Sequence, residues 1–291
     1  MSSSLRRLYQ SLPLISELRS VRGSVGGLQY HQRLMETAAI TQALAVIKAS
    51  DERYRDPRRL LVHGAQYWSQ NYEDGMIAEI FRRIGSKTKT FLEIGVGNGS
   101  ENNTMALLAA GWSGWWIEGD QSCCDAITSR FAAYPAPASR LILRSSFVTP
   151  EGISGLLREI QVPDEVDLFS LDIDLDTYHI WAALKDFRPR VIVVEYNGGF
   201  PPEVSWIHPY QPGKTWDFTQ AFGASLKAFE ALGTDRGYRL VGCDVVGINA
   251  FFVREDLAGD HFAAPFTAEN HYEPPRYGLY FRWGHQSAFY G

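Results

Sequence analysis

The stretch "FLEIGVGNGSENN", residues Phe91–Asn103, runs from a short apolar segment holding one acid, Glu93, straight into Gly95, Gly97 and Gly99. A buried strand that ends in closely spaced glycines makes a tight turn and lets another group approach the backbone. The helix that follows offers free N–H groups at its start. Strand, glycine turn and helix in that order open a doubly wound α/β sheet.

Further runs extend the pattern on the C-terminal side: "WWIEGD", "RLILRSS", "VDLFSLDID", "RVIVVEYN", "YRLVGCDV" and "NAFFVR". Strict polar alternation is missing from them, as expected of strands covered on both faces. Helical stretches separate most of these runs. Only "VGIN" separates the last two, too little for a crossover helix, so these two should form an antiparallel hairpin. The expectation is a Rossmann-like, mostly parallel seven-stranded sheet with one reversed strand. On the N-terminal side, "YHQRLMETAAITQALAVIKASDERY" and "YEDGMIAEIFRRIG" carry apolar residues at helical spacing, with Met76, Ile77, Ile80, Phe81 and Ile84 on one face of the second. The predicted organisation is a helical cap or oligomerisation region over 1–68, the sheet domain over 69–254, and a tail or lid over 255–291. The cap's apolar faces need burial, against the sheet or in a homo-oligomer.

Composition narrows the function. The 291 residues are 45% hydrophobic and 21% charged, with a formal net charge of -5. That balance argues against nucleic acid as a partner. Every apolar run is far shorter than the roughly 20 residues a membrane-spanning helix needs. The first residues show neither an apolar core nor a cleavage site, so neither signal nor anchor is expected. Cys123, Cys124 and Cys243 form no disulfide framework or zinc pattern, which points to a reducing, cytoplasmic setting.

The glycines are spaced G-x-G-x-G, and Ser100 stands where the dinucleotide fingerprint needs its third glycine. A nucleoside ligand without a pyrophosphate fits better. Glu118, at the end of the second run, lies at the distance from the glycines where an acid takes ribose hydroxyls. With Glu93 ahead of the glycines, the stretch resembles motif I of the class I S-adenosylmethionine-dependent methyltransferases. "SQNYEDGMIAEIF", "IEGD" and "LDID" extend the likeness toward the FkbM-like branch, whose fourth strand more often ends in an Asp-Val-Glu-Gly-like sequence. The resemblance implies that Glu93, Gly95, Gly97 and Gly99 line the cofactor and that Glu118 holds its hydroxyls. It further implies that Ser69 and Gln70 help close the pocket; a helix cap at Ser69 is the alternative. Ser145, Ser146 and Phe147 fall where an adenine would be sandwiched.

A second cluster follows the fourth and fifth runs. Residues two apart on a strand share a face, so Asp172 with Asp174 and Glu195 with Asn197 converge at one sheet edge. Asp172 could instead take the cofactor's amino group. Oxygen ligands of this kind suit Mg²⁺, Mn²⁺ or Ca²⁺, as in catechol O-methyltransferase and the metal-dependent sugar O-methyltransferases that the arrangement resembles. His179 is the candidate general base, acting with Asp174 on a hydroxyl. The irregular segment after Asn197 is read as a substrate wall offering Trp206, His208, Tyr210 and Trp216, with Glu203 or Asp217 as polar grips.

The expected activity is methylation of a hydroxyl on a small molecule such as a sugar or natural product. A nicotinamide-dependent oxidoreductase and a non-catalytic nucleoside binder are the rival readings. The former lacks a Tyr-x-x-x-Lys pair, and the latter has no need of the acid cluster with His179.

Overall fold

A computed structural model describes residues 13–279. The notional cap and tail extend past both limits, and their portions over 1–12 and 280–291 lie outside the described residues. Chain contacts divide the protein into two units, one ending at Ser50 and one starting at Asp51. Residues 51–68 therefore belong to the compact unit that holds the sheet.

Among the described residues the first unit is one long helix, α1 (Pro13–Ser50). The second begins with a short 3-10 pair and α2 (Glu73–Ile84). It continues through β1 (Thr90–Ile94), α3 (Met105–Ala109), β2 (Ser113–Glu118), α4 (Gln121–Phe131), α5 (Pro135–Ala138) and β3 (Leu141–Ser145). There follow α6 (Ile153–Glu159), β4 (Leu168–Leu171), α7 (Thr177–Ala183), β5 (Val191–Glu195), α8 (Leu226–Asp235), β6 (Tyr238–Cys243) and β7 (Asn249–Arg254). The short helices α9 (Glu255–Ala258) and α10 (Ala268–His271) and a 3-10 turn at Tyr277–Leu279 follow.

All seven apolar runs are strands of one sheet, in the order β3-β2-β1-β4-β5-β7-β6. Strands β3, β2, β1, β4 and β5 pair in parallel, and β7 is antiparallel to both β5 and β6. The order runs outward from β1 on one side and from β4 on the other, so β1 and β4 meet where the winding reverses. A crevice opens at such a point because the crossovers leave in opposite directions.

The absence of alternation has the expected cause: the central strands are buried on both faces. Phe91, Leu168, Val191 and Val193 pack with Met76, Ile77 and Ile80 of α2 on one side. Leu92, Phe169, Ile192 and Val194 pack with Trp181 and Phe229 on the other. Among the described residues the tail from Glu255 adds no sheet layer. It lays the buried Phe262, Ala268 and His271 along the unit, and the Tyr272 hydroxyl donates to the Gly198 carbonyl at 2.6 Å.

Candidate functional site

Three glycines of one loop do three different things. All have positive φ, at 84° for Gly95, 52° for Gly97 and 71° for Gly99, in the region that favours glycine. A Cβ on Gly95 would lie 1.7 Å from the Asp172 carbonyl oxygen, so glycine is what lets β1 and β4 end side by side. A Cβ on Gly99 would press on Trp116 and Ile127 at 3.0 and 3.1 Å. Gly99 is therefore a packing residue, contrary to the expectation that it lines the ligand. Only at Gly97 would a side chain meet nothing within 4 Å.

Gly97 borders two cavities. One, of about 340 Å³, is walled by Gly95, Gly97, Glu118, Phe147, Asp172 and Trp216, among others. The second, of about 420 Å³, is polar and includes Gln70, Glu73, Glu93, Asn102, Asp172 and Asn249 in its wall. Gly95, Gly97 and Asp172 belong to both, which makes them the boundary between adjoining chambers.

Glu118 ends β2 at the first chamber. Its Oε2 accepts the Gly97 N–H at 2.7 Å and its Oε1 the Asp120 N–H at 2.9 Å. Phe147 is 76% exposed, with its ring against Gly119, where a Cβ would come within 2.9 Å. Beside it, Ser146 joins the wall and its N–H donates to the Glu118 carbonyl at 2.8 Å.

Glu93 is placed differently from the expectation. It is buried, and its carboxylate accepts from Asn102 Nδ2 at 2.7 Å, the Asn103 N–H at 2.8 Å, and both the N–H (3.1 Å) and hydroxyl (2.5 Å) of Thr104. The acid thereby pins the loop to the start of α3, while still forming part of the second chamber's wall. Burial raises its pKa in spite of these donors. Ser69 takes the capping role: its hydroxyl accepts the Asp74 N–H at 3.1 Å, and Asp74 Oδ2 accepts the Tyr67, Trp68 and Ser69 N–H groups. Of the Ser69–Gln70 pair, Gln70 is the one in a cavity wall.

At the acid cluster, Asp172 and Glu195 form a hydrogen-bonded carboxyl pair. Burial, then the neighbouring Asp174, pushes Asp172 up to about 7. Burial and the charges of Asp172 and Asp174 hold Glu195 well above the carboxylate range, and Glu195 Oε2 is buried without a hydrogen-bond partner. Asp174 is exposed at the first chamber in a left-handed conformation, φ 58°. Asp167, just ahead of β4 and at its far end from the cluster, serves a different purpose: it accepts the Lys87, Thr88 and Lys89 N–H groups.

The expected cation quartet does not assemble. Asn197 is buried, its Nδ2 donates to the Gln220 and Phe222 carbonyls at 2.8 and 3.0 Å, and its Oδ1 accepts the Gly199 N–H at 3.0 Å. It braces the neck of the 198–222 loop. Among the described residues no group of three or more His, Cys, Asp or Glu is arranged to hold a metal ion. Asn197 is thereby committed to the loop, which leaves Asp172, Asp174 and Glu195 without the fourth ligand expected.

His179 is also engaged elsewhere. Its Nε2 donates to the His208 carbonyl at 2.8 Å, and its ring lies 5.5 Å from that of Tyr210. The first chamber's wall includes Asp174 and Asp176 but not His179. Of the four proposed substrate residues, Trp216 lines this chamber, with Lys214 and Thr215. Trp206 stacks on Phe200 at 4.6 Å, His208 is buried with its N–H on the Gly223 carbonyl, and Tyr210 donates to Glu151 at 3.1 Å. These three build the loop itself. Asp217 likewise folds back on Thr219.

The sequence reading overlooked Asn249 and Glu73. Asn249 pairs in register with Glu195 across β5 and β7, and its Nδ2 donates to Glu73 at 2.6 Å. The signal was present in the short "VGIN" connection. A reversed strand starts at the edge where its parallel neighbours end, so its first residue joins the site. Asn102 Oδ1 and Asn249 Oδ1 are both buried without a partner.

No described protein family matches the chain, and no curated protein does. Among solved structures it is similar to the glycopeptide N-methyltransferase MtfA complexed with S-adenosyl-L-methionine, at 12% identity over 61% of this chain and 85% of that one, TM-score 0.37. It is similar too to the magnesium protoporphyrin IX methyltransferase ChlM from Synechocystis PCC 6803 with bound S-adenosylhomocysteine, at 12% identity over 62% and 81%, TM-score 0.42. A third is the CcbJ methyltransferase from Streptomyces caelestis, at 10% identity over 62% and 90%, TM-score 0.39.

Proposed function

We propose that the chain is an S-adenosylmethionine-dependent methyltransferase that methylates a hydroxyl of a small molecule. The observation that carries this reading is Gly97, whose backbone faces open space at the boundary of two chambers with opposite chemistry. One chamber offers an acid at a strand end and an exposed aromatic ring, suited to a ribose and an adenine. The other offers buried amide oxygens without partners, beside carboxylates, suited to an ammonium group. An unpartnered buried acceptor is costly, by about 1–3 kcal/mol, until a donor reaches it. S-adenosylmethionine carries all three parts in one molecule.

In this reading Glu118 accepts the ribose hydroxyls, Phe147 covers the adenine, and Asn102 with Asn249 accepts the ammonium. When bound, the cofactor supplies a sulfonium-activated methyl carbon and is left as S-adenosylhomocysteine once that carbon has moved. The chain's own task is to orient the acceptor and take its proton. Asp172 stands at the boundary and, held near neutrality by burial, accepts the hydroxyl proton. Trp216 and Lys214 border the space left for the acceptor.

Calorimetric titration tests the assignment. S-adenosylmethionine should bind and NAD should not, and Glu118→Ala should weaken S-adenosylmethionine binding at least about tenfold, from the loss of a hydrogen-bond acceptor. Binding of NAD in preference, or an unchanged affinity in the variant, overturns it. A screen of hydroxylated metabolites by mass spectrometry for a gain of one methyl group separates an enzyme from a non-catalytic binder.

A further inference from the structure

The long helix α1 leaves large apolar side chains in solvent. Val21, Val25, Leu28, Met35 and Val46 are 59%, 46%, 71%, 73% and 58% exposed. They fall on one stripe, in steps that alternate four and three residues and pass through Gln32 between Leu28 and Met35. Ala39, Gln42 and Ala49 occupy the remaining steps and are exposed as well. The sequence continues the same spacing toward the N-terminus at Leu18 and Leu14. Tyr30 and Leu34 are exposed outside the stripe.

Alternating steps of four and three define the a and d positions of a heptad, and the pattern holds over four heptads from Val21 to Ala49. We propose that this stripe is the seam of a parallel two-stranded coiled coil formed with a second copy of this chain. The stripe has the two-in-seven spacing of a coiled-coil seam, while the half-buried Ile40, Leu44 and Ile47 lie off it. A helix lying on a membrane needs a broader apolar face opposite one rich in Lys and Arg.

The residue types specify the partner. β-branched Val25 and Val46 stand at a, while Leu28 and Met35 stand at d, the combination that favours two parallel strands. Gln32 at a core a position meets its own counterpart only when the helices are in register, the device by which a polar residue fixes alignment. The flanks agree, because Glu17 and Arg22, and likewise His31 and Glu36, are g and e residues five apart. In a parallel pair Glu17 faces Arg22 of the other helix, and Glu36 faces His31.

The helix also needs this support. Gly23, Gly26 and Gly27 lie in its interior with nothing near the place of a Cβ, and interior glycines weaken a helix standing alone. They lie off the seam, so they leave it unbroken. The seam from Val21 to Ala49 is about 43 Å long at the rise of an α-helix.

Sedimentation equilibrium of the full chain at micromolar concentration is the test, and it should give twice the monomer mass. Leu28→Asp combined with Met35→Asp should give the monomer mass while the melting transition of the sheet unit is retained. Mild oxidation of Leu28→Cys should yield a disulfide-linked dimer on a non-reducing gel, since a parallel seam brings equivalent d positions together. Tyr30→Cys, on the outer face, and the parent with its own three cysteines should not. The proposal is overturned if the parent sediments as a monomer, if it is a monomer that pellets with phosphatidylserine vesicles, if the double Asp variant stays dimeric, or if Leu28→Cys fails to cross-link.

Discussion

Glu118 and Glu195 end parallel strands on the same edge of one sheet, and their surroundings have little else in common. Glu118 is half-exposed and holds two backbone N–H groups. Glu195 faces another carboxyl and keeps one oxygen buried without a partner. The half of the edge around Glu118 presents bare backbone and an exposed ring. The half around Glu195 crowds acids that burial and mutual repulsion keep protonated more readily than in water. On the function proposed above, the first half binds the cofactor and the second takes the proton.

Breaking the binding half should produce the largest contrast. Gly95→Ala places a Cβ against the Asp172 carbonyl oxygen at 1.7 Å, so β1 and β4 have to separate. The expected loss is more than about 3 kcal/mol of stability, in the range of overpacked cores. Gly97→Val meets open space, and its stability loss should stay near the roughly 1–2 kcal/mol that a left-handed backbone imposes on a side chain. Its S-adenosylmethionine affinity, in contrast, should drop beyond calorimetric detection. Chemical denaturation with calorimetry on both variants measures the difference. Similar stabilities would show that the two glycines play one role.

The proton-handling half should respond in rate. Asp172→Asn keeps the shape and removes the proton acceptor, so single-turnover methylation with saturating cofactor should slow by about 10²–10⁴-fold. A rate within threefold of the parent would assign the proton to another group.

Stability against pH reads the same carboxyl independently. Asp172 is raised in the folded state to about 7, above its ordinary value of 3.8. The folded protein therefore holds this proton more tightly than the unfolded chain does. The associated stabilisation is complete below about pH 4, declines as pH rises toward 7, and is absent above it. Asp172→Asn should flatten this decline, by at most about 4 kcal/mol between pH 4 and 8. An unchanged slope in urea titrations at several pH values would mean that Asp172 is not the group being titrated.

How far the sequence carried follows from which interactions are local. Strands β1, β4 and β5 were legible because both faces are buried, leaving runs such as "VIVV" without alternation. The reversed strand was legible in "VGIN", and the glycine loop in its spacing. What Asn197 and His179 do was not legible, because their partners are backbone carbonyls 23 to 29 residues away in a loop of irregular path. Residue type announces a polar group. Which carbonyl it meets is settled only when the 198–222 loop folds back on α7. Glu93 is a similar case: an acid before a glycine turn serves a ligand or the turn itself, and four donors from Asn102–Thr104 decide for the turn.

The smallest effect is expected at His179, and it sharpens the division between the halves. The imidazole Nε2–H is held on the His208 carbonyl at 2.8 Å, fixing α7 to the loop that carries Trp216. His179→Ala removes that hydrogen bond and leaves the carbonyl of a buried residue without its donor, which should lower stability by about 1–2 kcal/mol. Turnover should fall less than about tenfold, through looser positioning of the loop, with the pH dependence of the rate unchanged in shape. A true general base would instead cost 10²–10⁴-fold and remove one limb of the pH profile. His179→Gln can donate to the same carbonyl and should recover most of the stability. A hundredfold loss in both variants would return the proton transfer to His179 and take it from Asp172.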